Sequence, residues 1–299
     1  MRSVQVFVVC FAAVALAAIA GAGATRNSGE SESDDLELGK KVYAGSCEEC
    51  HGAEGHGDGP KARKLGFHPR RFNLGSFKCR CTESGALPTD EDLYRIVTRG
   101  MSGTPMQPHE KTLSEAERRA VVQYVKSLTP RFASEQPPVC MRLSNPIPSS
   151  KESVSEGKQI YRLLSCWKCH GKTGKGDGPA APGLKDDWGN PIRAYNFTVM
   201  KRLKCGTEDA DIYRTMLTGM NGTPMPSYVA ALRFARESVA DMTAFQSAFD
   251  AAELKELQDY VAHQPDEAAI KALSAPARDE VVDKRAWSLV HYLKSLTGN

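Results

Sequence analysis

Two hexapeptides carry the chemistry of this chain: CEECHG at residues 47–52 and CWKCHG at residues 166–171. Each places two thiols three positions apart and an imidazole directly after the second. That order predicts covalent attachment of haem c. The thiols add to the two vinyl groups along one porphyrin edge, and a helical turn spaces the sulfurs to match. The adjacent histidine then turns under the ring and presents a nitrogen to iron. On this reading Cys47, Cys50 and His51 hold one haem, and Cys166, Cys169 and His170 hold a second. Two other chemistries use CxxC. A thioredoxin-type redox pair follows a strand in an α/β pattern, and no such pattern is visible. A zinc site draws all four cysteines together or recruits further ligands nearby, which fits poorly with a unit repeated around each CxxCH.

Haem iron has a second axial position, and a methionine follows each histidine at one distance: from 51 to 106 and from 170 to 225, the same 55 residues. Met106 and Met225 both sit in Gly-Thr-Pro-Met. Proline stiffens such a loop and glycine lets it turn tightly, so it can hold a thioether over the opposite face of the ring. The bland reading is a pair of core-filling methionines. Met101 and Met220 are repeated too, but each directly follows a helix-stopping glycine and reads as packing. His56, His68 and His109 have no histidine at the matching positions of the second copy, which disfavours bis-histidine ligation. The expected iron ligands are therefore His51, Met106, His170 and Met225.

The elements that position these residues are themselves duplicated. His51 and His170 set an offset of 119, and it carries Gly55, Gly57, Asp58, Gly59 and Pro60 onto Gly174, Gly176, Asp177, Gly178 and Pro179. Tyr94-Arg95 lands on Tyr213-Arg214, and Gly100-Met101 on Gly219-Met220. The pattern predicts an all-helical chain. Asp34 or Asp35 caps a helix running to Ser46, and its counterpart begins near Ser153 or Ser155. Residues 90–98 and 209–218 form short helices stopped by glycine. Residues 114–127 form a longer helix, with Ser114 and Glu117 as a capping box. The acidic run 30–37 reads as a flexible tail. Residues 130–150 carry five prolines and read as an extended linker.

The second copy is longer, with a helical insertion at about 226–277. Both AELKELQDYV and RAWSLVHYLKSLT resemble ERRAVVQYVKSLT of the first copy. The terminal helix is taken as the true equivalent, because its match runs on through Leu296 and Thr297. GKTGK at 171–175 is no phosphate loop, since GxxxxGK[ST] would need glycine where Cys166 stands.

At 299 residues the chain is long enough for two domains. Its formal net charge of +3 does not nominate nucleic acid, and no basic run is interleaved with aromatics. Arg2, an apolar stretch to Ala20 and Ala22-Gly23-Ala24 read as a signal peptide over residues 1–24, cleaved near Thr25. The alternative is an uncleaved anchor. Export to the periplasm, with no transmembrane segment in the mature chain, is expected. Cys10 leaves with the signal. Cys79, Cys81, Cys140 and Cys205 remain, and in an oxidising compartment they suggest two disulfides, with all three connectivities open. A Cys79–Cys81 bridge would be strained. Lys61, Arg63, Lys64, Arg70, Arg71, Lys78 and Arg80 make a basic stretch, either a solvated face or a surface that steers an acidic redox partner.

CEECHG, GHGDGP, YR, GTPM and YVKSL, with their second-copy counterparts, resemble the class I c-type cytochromes in the two-haem form of bacterial respiratory chains. The resemblance covers residues 35–130 and 151–299, with 131–150 as linker and the insertion outside it. It implies an all-α fold of two tandem domains, two covalently bound haem c groups with His/Met ligation, and single-electron transfer between a donor and an acceptor protein. Six-coordinate iron has no vacant site for substrate, which suits a carrier better than an enzyme. The apolar shell falls to Tyr43, Leu65, Phe72, Leu93, Tyr124 and Val125, and to Tyr161, Leu184, Phe197, Ile212, Tyr292 and Leu293. Arg71, Asn73, Arg193 and Asn196 are candidate partners of the haem propionates. Some two-haem enzymes that oxidise thiosulfate share this layout but ligate one iron through a cysteine, a part open to Cys79, Cys81 or Cys205. A peroxide-reducing enzyme, or a haem subunit of a larger oxidoreductase, is the other alternative.

Overall fold

The computed structural model describes residues 28–297 apart from 66 and 239–242. The N-terminal apolar segment and Cys10 lie outside the described residues. The first half runs α1 (Ser28–Ser46), α2 (Glu48–His51), α3 (Pro60–Leu65), α4 (Asp90–Arg99), α5 (Glu115–Ser127) and α6 (Arg131–Ser134). The second runs α7 (Lys151–Leu163), α8 (Trp167–His170) and α9 (Asp209–Thr218), then α10 (Val229–Arg233), α11 (Thr243–Gln246), α12 (Ala251–Ala262), α13 (Glu267–Ala272) and α14 (Ala275–Ser295). Among the described residues there is no strand, only an isolated bridge between Lys185 and Pro191. The fold is all-α.

Each half is built on a crossing of its first long helix with a later one: α1 on α5, and α7 on α14. Glycine makes both crossings close. A Cβ at Gly39 would strike the Ala120 carbonyl and the Tyr124 side chain; one at Gly157 would strike the Ser288 carbonyl and the Tyr292 side chain. Beside them the Tyr43 and Tyr124 rings lie 5.1 Å apart, and Tyr161 and Tyr292 5.3 Å. α14 thus does in the second half what α5 does in the first. α12 packs on the same helix α7, but as an outer addition.

Helix starts follow their caps. Ser114 and Glu117 form the expected capping box on α5, and Asp250 with Glu253 does so on α12. α7 starts earlier than expected, because Ser150 and Ser153 cap it reciprocally. α1 also starts earlier, at Ser28, so the acidic run is helical rather than a flexible tail; acidic side chains at a helix N-terminus are favoured by the macrodipole.

Just before the motif the repeat slips by one residue. Tyr43 stands four residues before Cys47, whereas Tyr161 stands five before Cys166. The extra residue is absorbed at Ser165, whose φ of 58° is left-handed. Cys47 N–H bonds the Tyr43 carbonyl at 2.8 Å, and Cys166 N–H reaches one residue further, to the Tyr161 carbonyl at 3.1 Å. The wider turn restores register before the cysteines.

Residues 135–150 have no helix, but they are fastened to both halves. Cys140 is bonded to Cys81, and Met141 N–H donates to the Cys81 carbonyl at 2.8 Å. Arg142 pairs with Asp283, Trp287 Nε1–H donates to Ser144 Oγ at 2.9 Å, and His291 Nε2–H donates to the Ile147 carbonyl at 3.0 Å. A second disulfide, Cys79–Cys205, joins the halves directly.

Candidate haem sites

In each half the attachment motif opens a one-turn helix, and the same contacts surround it. His51 Nδ1–H donates to the Arg70 carbonyl at 3.0 Å, and His170 Nδ1–H to the Tyr195 carbonyl at 3.0 Å. A carbonyl only accepts, so this contact fixes the tautomer and leaves each Nε2 lone pair for iron. Phe72 stacks on His51 at 4.6 Å and Phe197 on His170 at 4.6 Å, which holds the rings in plane. Burial lowers the pKa of both histidines and so favours neutral imidazole.

The motif helix is also closed from behind. Tyr43 Oη–H donates to the Gly52 carbonyl at 2.7 Å, and Tyr161 Oη–H to the Gly171 carbonyl at 2.6 Å. Gly57 N–H bonds the His51 carbonyl at 2.7 Å, and Gly176 N–H the His170 carbonyl at 2.8 Å. The Gly-Asp-Gly-Pro turn lies flat against the motif: a Cβ at Gly59 would strike the Glu49 carbonyl, and one at Gly178 the Lys168 carbonyl.

Cys47, Cys50, Cys166 and Cys169 all carry free thiols. Burial pushes Cys47 up to about 11 and Cys166 up to about 12. Among the described residues, no three His, Cys, Asp or Glu side chains gather as a metal-binding group. The residues present therefore fit haem c in both places. When bound, its iron supplies one-electron oxidation and reduction.

The methionine loops match as closely. Met101 N–H bonds the Met106 carbonyl at 3.0 Å, while Thr104 Oγ1–H donates to the Met101 carbonyl at 2.7 Å. In the second half Met220 N–H bonds the Met225 carbonyl at 3.0 Å, and Thr223 Oγ1–H donates to the Met220 carbonyl at 2.7 Å. The main chains of Met101 and Met220 thus clasp the loops that present Met106 and Met225, all four side chains being half-buried. Gly100 and Gly219, at φ 67° and 68°, let the chain after the methionine pass close by.

Of the expected shell, Tyr43, Phe72, Leu93 and Val125 are buried, as are Tyr161, Phe197, Ile212, Tyr292 and Leu293. Tyr124 and Leu184 are half-buried, and the Leu65 side chain lies outside the described residues. Asn73 Oδ1 is buried without a hydrogen-bond partner, whereas Asn196 spends its oxygen capping the turn at Thr198. The basic stretch does not form one face. Arg80 is 1% exposed and donates across the interface to the Thr218 carbonyl at 2.6 Å. Cys79, Cys81 and Cys205 are disulfide-bonded, so none is free to ligate iron as a thiolate.

Sequence reasoning missed two features. One is the cover over the second motif, where Phe245 and Phe249 pack on Trp167. The other is the interface, where Asn221 of the second methionine loop accepts from Gly85 N–H at 2.9 Å. The apolar Trp167 in a motif spacer was a readable sign of the first; nothing local marked the second.

An all-helical unit with CxxCH, a carbonyl-oriented histidine and a clasped methionine loop defines the class of covalent haem domains. Residues 34–125 match the family model for cytochrome c oxidase, cbb3-type, subunit III, and residues 154–264 match that for cytochrome c. A chain of the Kuenenia stuttgartiensis reducing HAO-like protein complex Kustc0457/Kustc0458 is 35% identical, with a TM-score of 0.67 over 87% of this chain and 96% of that one. No curated protein sequence matches. The chain belongs to the dihaem c-type cytochromes, with two covalently attached haem c groups. The second family match ends at 264, inside the insertion, and so takes α12 for the closing helix. The glycine crossing at Gly157 assigns that part to α14.

Proposed function

We propose that this chain is an exported, periplasmic carrier that passes single electrons between a donor and an acceptor protein of a respiratory chain, without bond-making chemistry of its own. Its N-terminal 24 residues are a cleaved signal peptide, and Met106 and Met225 would hold the haem irons together with His51 and His170. The observation that carries this reading is the sameness of the two methionine loops, clasped by the same bonds at the same places. Thioether side chains from these loops would raise the potential of each bound haem, which suits electron transfer. The two interdomain and linker disulfides support an oxidising compartment.

An optically followed redox titration of the purified protein tests the proposal. Two one-electron steps and low-spin ferric spectra at both haems are expected, with Met106→Ala and Met225→Ala each altering one haem. A high-spin or thiolate haem, or turnover with thiosulfate or peroxide, would overturn it. N-terminal sequencing of the mature chain checks cleavage near Thr25. A second reading, a haem subunit of a larger oxidoreductase, is favoured by the similar chain that belongs to an HAO-like complex. Co-purification with a stoichiometric partner from the native source separates the two readings.

A further inference from the structure

A helix ends with four carbonyls that find no partner inside it. In α9 these belong to Thr215, Met216, Leu217 and Thr218, and the loop that carries Met225 begins at the next residue. Three of the four are answered from within the second half. Gly219 N–H bonds the Thr215 carbonyl at 2.9 Å, Tyr228 N–H the Met216 carbonyl at 3.0 Å, and Ser227 Oγ–H the Leu217 carbonyl at 2.5 Å. The last is answered by the other half: Arg80 Nη2–H donates to the Thr218 carbonyl at 2.6 Å.

α4 of the first half ends differently. The Gly100, His109 and Glu110 N–H groups bond the Ile96, Val97 and Thr98 carbonyls at 2.8, 3.1 and 3.2 Å, as in α9. Among the described residues, however, no donor reaches the carbonyl of Arg99, the position that matches Thr218. Arg99 is exposed, so water can answer it, whereas Thr218 is 1% exposed. A buried carbonyl without a donor is costly, so the second loop requires a protein donor where the first does not.

Arg80 is held firmly for that part. It is itself 1% exposed, and its Nε–H donates to the Glu83 carbonyl at 3.0 Å, which fixes the guanidinium plane. Its neighbours Cys79 and Cys81 are bonded to Cys205 of the second half and Cys140 of the linker, so its backbone is tied on both sides. Burial lowers its pKa to about 10 while Asp92 raises it, so the donor stays charged at neutral pH. A second contact lies close by: Gly85 N–H donates to Asn221 Oδ1 at 2.9 Å. Thr218 and Asn221 stand on either side of Met220, whose N–H bonds the Met225 carbonyl at 3.0 Å.

We propose that the first half positions the iron ligand of the second: Arg80 holds the end of α9, Gly85 holds Asn221, and together they set Met225. Arg80 is thus a positioning residue for the haem of the other half, and the second methionine loop is complete only when the halves meet. Among the described residues, the first methionine loop takes no hydrogen bond from the second half. The inference rests on Met225 as a ligand of iron.

The experiment uses the full dihaem protein. Imidazole is titrated into the ferric form, where it competes with the methionine side chain for iron, so its apparent affinity at each haem reports how easily that loop opens. Met106→Ala and Met225→Ala each remove one methionine–iron absorption and so assign the two haems. If Met225→Ala leaves the spectrum unchanged, the ligand reading fails and takes this inference with it. If Met225→Ala acts and Arg80→Gln does not, the inference alone falls. A hydrogen bond from a charged donor is worth about ten-fold in an equilibrium. Arg80→Gln should therefore tighten imidazole binding about ten-fold at the second haem and leave the first unchanged, while Arg80→Lys, which keeps a charged donor, stays nearer the native value. Asn221→Ala removes the other contact without touching Arg80. It should tighten binding at the second haem alone, by a smaller factor, and it decides the test if Arg80→Gln does not fold. Equal tightening at both haems would mean a general loosening of the protein; that result, or a second haem unmoved in every variant, overturns the proposal.

Discussion

The two halves carry one haem unit under different covers. In the first, the motif spacer is Glu48-Glu49, with Glu49 exposed and paired to Lys61 at 3.2 Å. In the second it is Trp167-Lys168, and Trp167 is only 5% exposed beneath Phe245 and Phe249, at 6.1 and 5.2 Å. Arg162, 4% exposed, anchors the cover through Glu253 and Glu256 and lies over the Phe249 ring. Everything that orients a histidine or clasps a methionine is repeated bond for bond. Divergence gathers on the outer face of the attachment helix, which the chemistry of iron does not constrain. The insertion therefore screens the second attachment helix with protein and leaves the first open to solvent and partners.

The comparison breaks most completely at the bond between the halves. Replacing Cys79 and Cys205 by serine releases a 126-residue separation, worth up to about 5 kcal/mol in the chain-entropy account. Scanning calorimetry should then show a lower and split transition, one part for each half; a single unmoved transition would mean that the other interface bonds suffice. Phe249→Ala comes next. Deleting a buried phenylalanine costs about 3–5 kcal/mol, and the loss should appear in the denaturant transition reported by tryptophan fluorescence, since Trp167, Trp188 and Trp287 all lie in the second half. Glu48→Ala with Glu49→Ala in the first half should stay within about 0.5 kcal/mol of the parent. A comparable loss there would show that the first spacer also has a structural cover. Gly39→Ala and Gly157→Ala sharpen the symmetry instead. Both put a methyl into a helix crossing and should cost a similar 1–3 kcal/mol or so; unequal costs would show that α14 only partly takes the part of α5.

The residues proposed to hold the haem stand out in the sequence because chemistry dictates their spacing. Thiol, thiol and imidazole must follow one another, and a constant 55 residues separates histidine from methionine in both copies. Helix caps such as Ser114 with Glu117 were legible for a local reason, since a cap needs only its own turn. Ser165 was not, because a one-residue slip leaves the motif offset intact and shows only against Tyr43 and Tyr161. The role of Arg80 was also hidden. Its sequence neighbours are basic, so it read as part of a charged face, whereas its guanidinium is spent on carbonyls, one of them 138 residues away. Disulfide partners likewise depend on how the halves meet, which no local pattern records.

The smallest effect expected is on acid stability, and it tests whether the cover is held as the first half holds its own helices. The Arg162 hydrogen bond keeps the Glu256 carboxyl below its ordinary value of 4.5. In the first half burial pushes Asp90 up, but bonds from Lys126 and Gln123 outweigh it and hold Asp90 below its ordinary 3.8. A carboxyl with a depressed folded pKa contributes stability above its unfolded value and loses it as pH falls through the folded one. Both halves should therefore weaken as pH drops below about 4. Glu256 is 54% exposed, so solvent screening limits its share to a fraction of 1 kcal/mol or so. Glu256→Gln should flatten the acid limb of the second half's unfolding curve and leave the first half's slope alone, measured by denaturant midpoint against pH. A flattened slope in both halves would show that the cover and the first domain unfold as one unit, and that the screening of the second attachment helix is a property of the whole interface rather than of the insertion.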